Sequence, residues 1–168
     1  MTDDPLPDLG AADPQLRALL ADAAQDLGRP ARVALRVNPD FELRGAGMHM
    51  GGGAKPFGID VEQVPAMLRT LNRDGLSFEG FHVYPGSQNL RGDVIAESLR
   101  RSVDLVLRLA QESPGPVRYI NLGGGWGIPY FPGERRLDLA PVADALAQAQ
   151  ARLRQALPAA QLVLELGR

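Results

Sequence analysis

The sequence predicts an α/β protein built on parallel strands, and three observations carry that expectation. Four short apolar segments, at 32–37, 77–83, 117–122 and 161–166, recur at roughly forty-residue intervals. Helical patterns of adequate length separate them in the order αβαβαβαβ, which argues for parallel strands with right-handed crossovers. Each strand ends, on its C-terminal side, in glycine or polar chemistry, and parallel α/β folds place their sites at that face.

Residues 1–11 are acidic, with two prolines and a glycine, and read as a flexible leader ahead of a single domain at 12–168. Asp13 is an N-cap candidate and Pro14 suits the first helical position. Leu16, Leu19, Leu20, Ala23 and Leu27 share a helical face, and Gly28-Arg29-Pro30 stops the helix. Arg32 to Val37 is the first strand, ended by Asn38-Pro39-Asp40. A long glycine-rich loop follows from Gly45 to Gly53, closing with Ala54-Lys55-Pro56-Phe57-Gly58; loops of this length are usually functional or mobile. Asp60 caps a second helix whose Val61, Val64, Leu68 and Leu71 lie on one face. Ser77 to Val83 is the second strand, with the loop Tyr84 to Asn89 behind it. The third helix covers about Asp93 to Glu112, with Leu99, Val103, Val106, Leu107 and Ala110 as its stripe. The third strand, Val117 to Leu122, runs straight into Gly123-Gly124-Gly125. A fourth helix, about Ala140 to Leu157, turns Val142, Leu146, Ala149, Leu153 and Leu157 inward, and Gln161 to Leu166 is the last strand.

Composition narrows the function classes. The 168 residues are 45% hydrophobic, enough for one globular domain with a real core. A net charge of −2 gives no ground for nucleic-acid or membrane-surface binding. The absence of cysteine rules out disulfides and thiolate metal sites, and no metal site is expected. With no signal peptide and no spanning apolar run, the default location is the cytoplasm. Of the 18 basic residues only Lys55 is a lysine, so Schiff-base chemistry within this chain has one candidate.

The triple glycine is the centre of the sequence. Glycine is entropically costly to fix, so three in a row imply special dihedrals or a close approach. Their N–H groups can form an anion-binding nest, or the run is a tight turn with no ligand. His82, in an alternating strand, is either a satisfied core histidine or a site residue. Ser87 is a turn residue or a phosphate donor. Glu165 lies in an apolar strand and needs a cation, a metal or a ring N–H as partner. Arg168 either pairs locally or grips a phosphate with its planar fork.

Four segments in order, RVNP at 36–39, FHVYPGSQ at 81–88, INLGGGWG at 120–127 and LELGR at 164–168, carry a family resemblance. The chain resembles the fold-type III pyridoxal-phosphate decarboxylases, the ornithine/diaminopimelate/arginine decarboxylase group. The wording of residues 36–60 and 81–90 is similar to the branch associated with exosortase and exopolysaccharide gene clusters. The resemblance implies a (β/α)8 TIM-type barrel of the alanine racemase-like kind, here a partial one of about four parallel strands, with pyridoxal 5'-phosphate at its mouth. It implies phosphate binding by the N–H groups of Gly123, Gly124 and Gly125, assisted by Ser87 and Arg168. Glu165 would pair with the pyridine nitrogen, His82 would stack on the ring, and Arg36 would lie near it. The implied reaction is loss of CO₂ from an amino acid through an aldimine and a quinonoid.

The chain also departs from the family pattern. The family's Schiff-base lysine lies on an early strand, upstream of these residues, and Lys55 matches a different lysine. The family's C-terminal β-domain, which contributes across a homodimer interface, has no counterpart, and the last motif reads LGR where PGR is usual. The expectation is therefore an incomplete decarboxylase domain, inactive alone. The alternatives are a non-catalytic phosphate- or pyridoxal-phosphate-binding protein and a half-barrel that needs a complementing chain.

Overall fold

The computed structural model describes residues 14–41, 48–49, 57–71 and 76–166. The leader, Lys55 and Arg168 lie outside the described residues, as do Asp13 and most of the Gly45–Gly53 loop. Along the chain the elements are α1 (Pro14–Asp26), β1 (Ala31–Asn38), β2 (Met48–His49), β3 (Ile59–Asp60), a 3-10 turn (Val61–Gln63), α2 (Val64–Leu71), β4 (Leu76–Val83), β5 (Gly86–Ser87), α3 (Gly92–Ala110), β6 (Tyr119–Gly124), α4 (Ala140–Ala156) and β7 (Gln161–Glu165).

Five strands form one parallel sheet in the order β3-β1-β4-β6-β7. The strands β1, β4, β6 and β7 lie side by side in chain order, while the two-residue β3 adds on the other side of β1. With right-handed crossovers, that succession puts the connecting helices on one face, as in a barrel wall. The second, two-stranded sheet pairs β2 with β5 antiparallel, Met48 opposite Ser87 and His49 opposite Gly86. So the glycine-rich segment, read from the sequence as one long loop, lends two residues to the Gly86–Ser87 segment.

The sheet has two unlike faces, because strand side chains alternate. Leu35, Val37, Phe81, Val83, Ile120 and Leu122 are buried in the same core as Leu68 of α2, Val103 of α3 and Val142 of α4. On the other side of β1, Arg32 and Ala34 are exposed and Arg36 and Asn38 half-buried. This second face corresponds to the interior of a closed barrel.

Three sequence expectations need correction. Asp60 does not cap α2: its Oδ1 accepts a hydrogen bond from Asn38 Nδ2 at 2.9 Å while Ile59 pairs with Val37, so Ile59–Asp60 is a fifth strand. The glycines do not simply follow the third strand, since β6 starts at Tyr119 and includes Gly123 and Gly124. Finally, α1 turns Leu20 and Ala24 toward the core and leaves Leu19, Ala23 and Leu27 exposed. Packed chiefly against β1 and β4, α1 needs a narrower stripe than its leucines offer.

Candidate functional site

Register brings the polar residues together. Arg36 on β1 pairs with His82 on β4, His82 with Asn121 on β6, and Asn121 with Val163 on β7. Neighbours in register share a face, and Glu165, two residues past Val163, shares it too. An irregularity between Asn121 and Gly124 gives β6 one residue more than β7 over this stretch. Arg36, His82, Asn121 and Glu165 thus form a row across the C-terminal end of the sheet, on the face away from the helices.

His82 is half-buried, with its side chain 18% exposed. Its Nε2 is buried without a hydrogen-bond partner and lies 3.6 Å from Glu165 Oε2, too far for a hydrogen bond. Burial pushes the imidazole below its ordinary value near 6.5; Glu165 pulls it upward, while Arg36 adds to the downward push. The ring is therefore neutral at pH 7, and its approach to Glu165 is not an ion pair. The Arg36 guanidinium sits over the Tyr84 ring at 5.1 Å and the Phe57 ring at 5.6 Å, a cation–π arrangement that holds it in the row.

Asn121, 2% exposed, organises the far end of the row. Its Nδ2 donates to Glu165 Oε1 at 2.8 Å and to the Tyr119 hydroxyl at 3.0 Å, and its Oδ1 accepts the Gly123 N–H at 2.8 Å. Sequence reasoning gave Asn121 no role. The available signal was an amide between Ile120 and Leu122 in an apolar strand, where an unpaired polar group would be costly.

The glycine run is required by close approach of neighbouring backbone. A Cβ on Gly124 would lie 1.7 Å from the Glu165 carbonyl oxygen, and one on Gly125 1.8 Å from that of Gly86. Gly123 (φ +69°) and Gly125 (φ +75°) also occupy left-handed dihedrals. The Gly123 N–H is committed to Asn121, whereas the Gly125 N–H has no backbone partner among the described residues. Behind the strand ends a ladder continues: the Asn89 N–H donates to Gly125 O, the Gly127 N–H to Asn89 O, and Gln88 Nε2 to Ile128 O. Gln88 does so at φ 54°, an uncommon conformation for a residue with a side chain. A cleft of about 1020 Å³ opens here, with Ser87, Gln88, Gly125, Trp126 and Glu165 in its wall. Exposed Ile128, Tyr130 and Leu139 line its outer side. Ser87, Gly125 and Glu165 thus reach one cleft; His82 lies 3.6 Å from Glu165, and Arg36 stands at the far end of the row.

Residues 15–168 match the family model of the pyridoxal-dependent decarboxylases, pyridoxal-binding domain. The chain belongs to this family. Among its relatives, the L-glutamyl-[BtrI acyl-carrier protein] decarboxylase of Niallia circulans is 33% identical over 151 residues, covering 89% of this chain and 35% of the relative. The diaminopimelate decarboxylase of Thermoplasma acidophilum is 34% identical over 119 residues, covering 70% of this chain and 30% of the relative. The crystal structure of diaminopimelate decarboxylase from Methanocaldococcus jannaschii, in co-complex with L-lysine, superposes with a TM-score of 0.68 at 27% identity, covering 90% of this chain and 36% of that one. The chain therefore spans about a third of the length of these decarboxylases, and its sheet is part of a decarboxylase (β/α) barrel. The cofactor of the family is pyridoxal 5'-phosphate. Among the described residues, no helix is long and apolar enough to cross a membrane.

Proposed function

We propose that this chain is the cofactor-holding portion of an amino-acid decarboxylase and that it does not decarboxylate alone. The observation that carries the reading is the Glu165 carboxylate, held on one oxygen by Asn121 and facing an unpartnered, neutral His82 beside a glycine-lined cleft. These residues fit the cofactor: a carboxylate suits a protonated ring nitrogen, an uncharged imidazole suits a ring face, and free N–H donors suit a phosphate. Pyridoxal phosphate, when bound, supplies an electron sink for the charge left by loss of CO₂. Glu165 would keep the proton on the pyridine nitrogen, His82 would lie against the ring, and Arg36 would flank it. The Gly125 N–H and Ser87 would take the phosphate, with Gly124 beside them and Arg168 assisting by family resemblance. Gly123, whose N–H is engaged by Asn121, shapes the turn instead.

By the family resemblance the aldimine lysine belongs to an earlier strand, and Lys55, the one lysine of this sequence, corresponds to a different family position. Placement in the exosortase-associated branch rests on the wording of residues 36–60 and 81–90, and an amino-acid substrate and a homodimer rest on the family. The second reading is a half-barrel that needs further strands, and it too has a specific support. β7, which carries Glu165, pairs only with β6 among the described residues, so one edge of the sheet stands open beside the site.

Titration of the purified chain with pyridoxal phosphate, followed by borohydride reduction and peptide mapping, tests the proposal. Saturable binding without a Lys55 adduct and without CO₂ release is expected. A specific Lys55 adduct with turnover would refute the claim of inactivity, and absence of saturable binding would refute the cofactor reading.

A further inference from the structure

We propose that Asn121 is a positioning residue that ties the ring end of the cofactor cradle to its phosphate end, a role that rests on the pyridoxal reading above. Its amide makes three hydrogen bonds, and their chemistry fixes its orientation. The Gly123 N–H can only donate and a carboxylate oxygen accepts, so Oδ1 must face Gly123 and Nδ2 must face Glu165. The bond to Gly123 runs from residue i to the N–H of i+2, an Asx-turn that starts the glycine segment at φ +69°. The bond to Glu165 holds the last residue of an edge strand. That side chain is 51% exposed and has no other hydrogen bond among the described residues. Asn121 itself is immobilised, being 2% exposed between Ile120 at 0% and Leu122 at 2%. One rigid amide therefore sets both the direction of the carboxylate and the path of the glycine turn. The same geometry removes the Gly123 N–H from the set of phosphate donors.

Two substitutions separate the two halves of this role. Asn121→Ala removes both bonds. Asn121→Asp keeps an oxygen for the Gly123 N–H but presents a second oxygen to Glu165 in place of the donor. Binding to the 168-residue chain is read by fluorescence of Trp126, the chain's one tryptophan, which lines the cleft. Unphosphorylated pyridoxal probes the ring end and inorganic phosphate the other. Asn121→Ala is expected to weaken both by about tenfold, and Asn121→Asp to weaken pyridoxal by about tenfold while leaving phosphate within about twofold of wild type. Hydrogen exchange at the Gly123 amide gives a second readout that needs no ligand: faster in Asn121→Ala, protected in Asn121→Asp. Equal weakening of both probes in Asn121→Asp, or unchanged binding in both variants, would overturn the coupling. Unchanged Gly123 exchange in Asn121→Ala would overturn it as well. A wild-type chain that binds neither probe would sink the cofactor reading, while the exchange result would still decide whether Asn121 holds the turn.

Discussion

Replacing Gly125 by alanine tests whether the glycine run is explained by its own backbone neighbours. The new Cβ would lie 1.8 Å from the Gly86 carbonyl oxygen and 2.8 Å from Ser87 Cα, backbone atoms that cannot rotate away. Overpacking of this kind costs about 1–3 kcal/mol. The left-handed φ of +75° adds about 1–2 kcal/mol for a residue with a Cβ. The expected loss is then about 2–5 kcal/mol, which in a domain of this size lowers the melting temperature by about 4–20 °C. Gly133→Ala is the internal control: its φ is +93°, but no heavy atom lies within 4 Å of its Cβ. That variant carries only the dihedral cost, about 1–2 kcal/mol. Thermal unfolding of both, followed by circular dichroism, isolates the steric contribution. Equal melting temperatures would refute the argument. If Gly125→Ala melted like the control yet lost phosphate binding, the glycine would be there for a ligand and not for the chain's own packing.

Other outcomes follow from the same geometry. Glu165→Gln keeps an acceptor for Asn121 Nδ2 but removes the charge, so pyridoxal affinity is expected to fall by about tenfold or more with phosphate affinity unchanged; unaltered pyridoxal binding would count against the ring-nitrogen role. His82 titrates below its ordinary 6.5 in the folded chain, so below about pH 6.5 the unfolded chain binds more protons and stability declines as pH falls. Denaturant midpoints across pH 5–8 should show that slope and His82→Gln should lack it, whereas identical profiles would mean His82 is not the titrating group. The open edge at β7 predicts concentration-dependent association of the isolated chain, and a single monomeric species across the concentration range in sedimentation would argue against a half-barrel awaiting partners.

Much of the fold was legible because apolar periodicity reports burial directly. Val64, Leu68 and Leu71 on α2, and Leu99, Val103 and Val106 on α3, are buried as their spacing implied. Strand bounds came within about two residues for the same reason. Local signals failed where a tertiary partner decided the outcome. Asp60 has the chemistry of a cap, but Asn38, 22 residues earlier, takes its carboxylate. The α1 leucines offer more apolar surface than β1 and β4 cover. In the site, Arg36, His82 and Glu165 are brought together by strand register, which a motif order suggests but does not specify. Asn121 stood in plain view between two apolar residues, yet its partner Glu165 is fixed only once β6 and β7 are paired out of step by one residue.

The neutral state of His82 bears on why this row suits the proposed cofactor. A protonated imidazole 3.6 Å from Glu165 would neutralise that carboxylate, leaving little electrostatic advantage for a pyridinium proton. Burial prevents this, and the Arg36 charge, held by Tyr84 and Phe57, works in the same direction. Asn121 engages Glu165 through an uncharged donor, which fixes the carboxylate without cancelling its charge. Each neighbour of Glu165 in the row is thus either neutral or turned to another partner. The unneutralised charge at the end of β7 is the property a ring-nitrogen partner requires, and the fold maintains it by excluding water from an imidazole rather than by adding a second carboxylate.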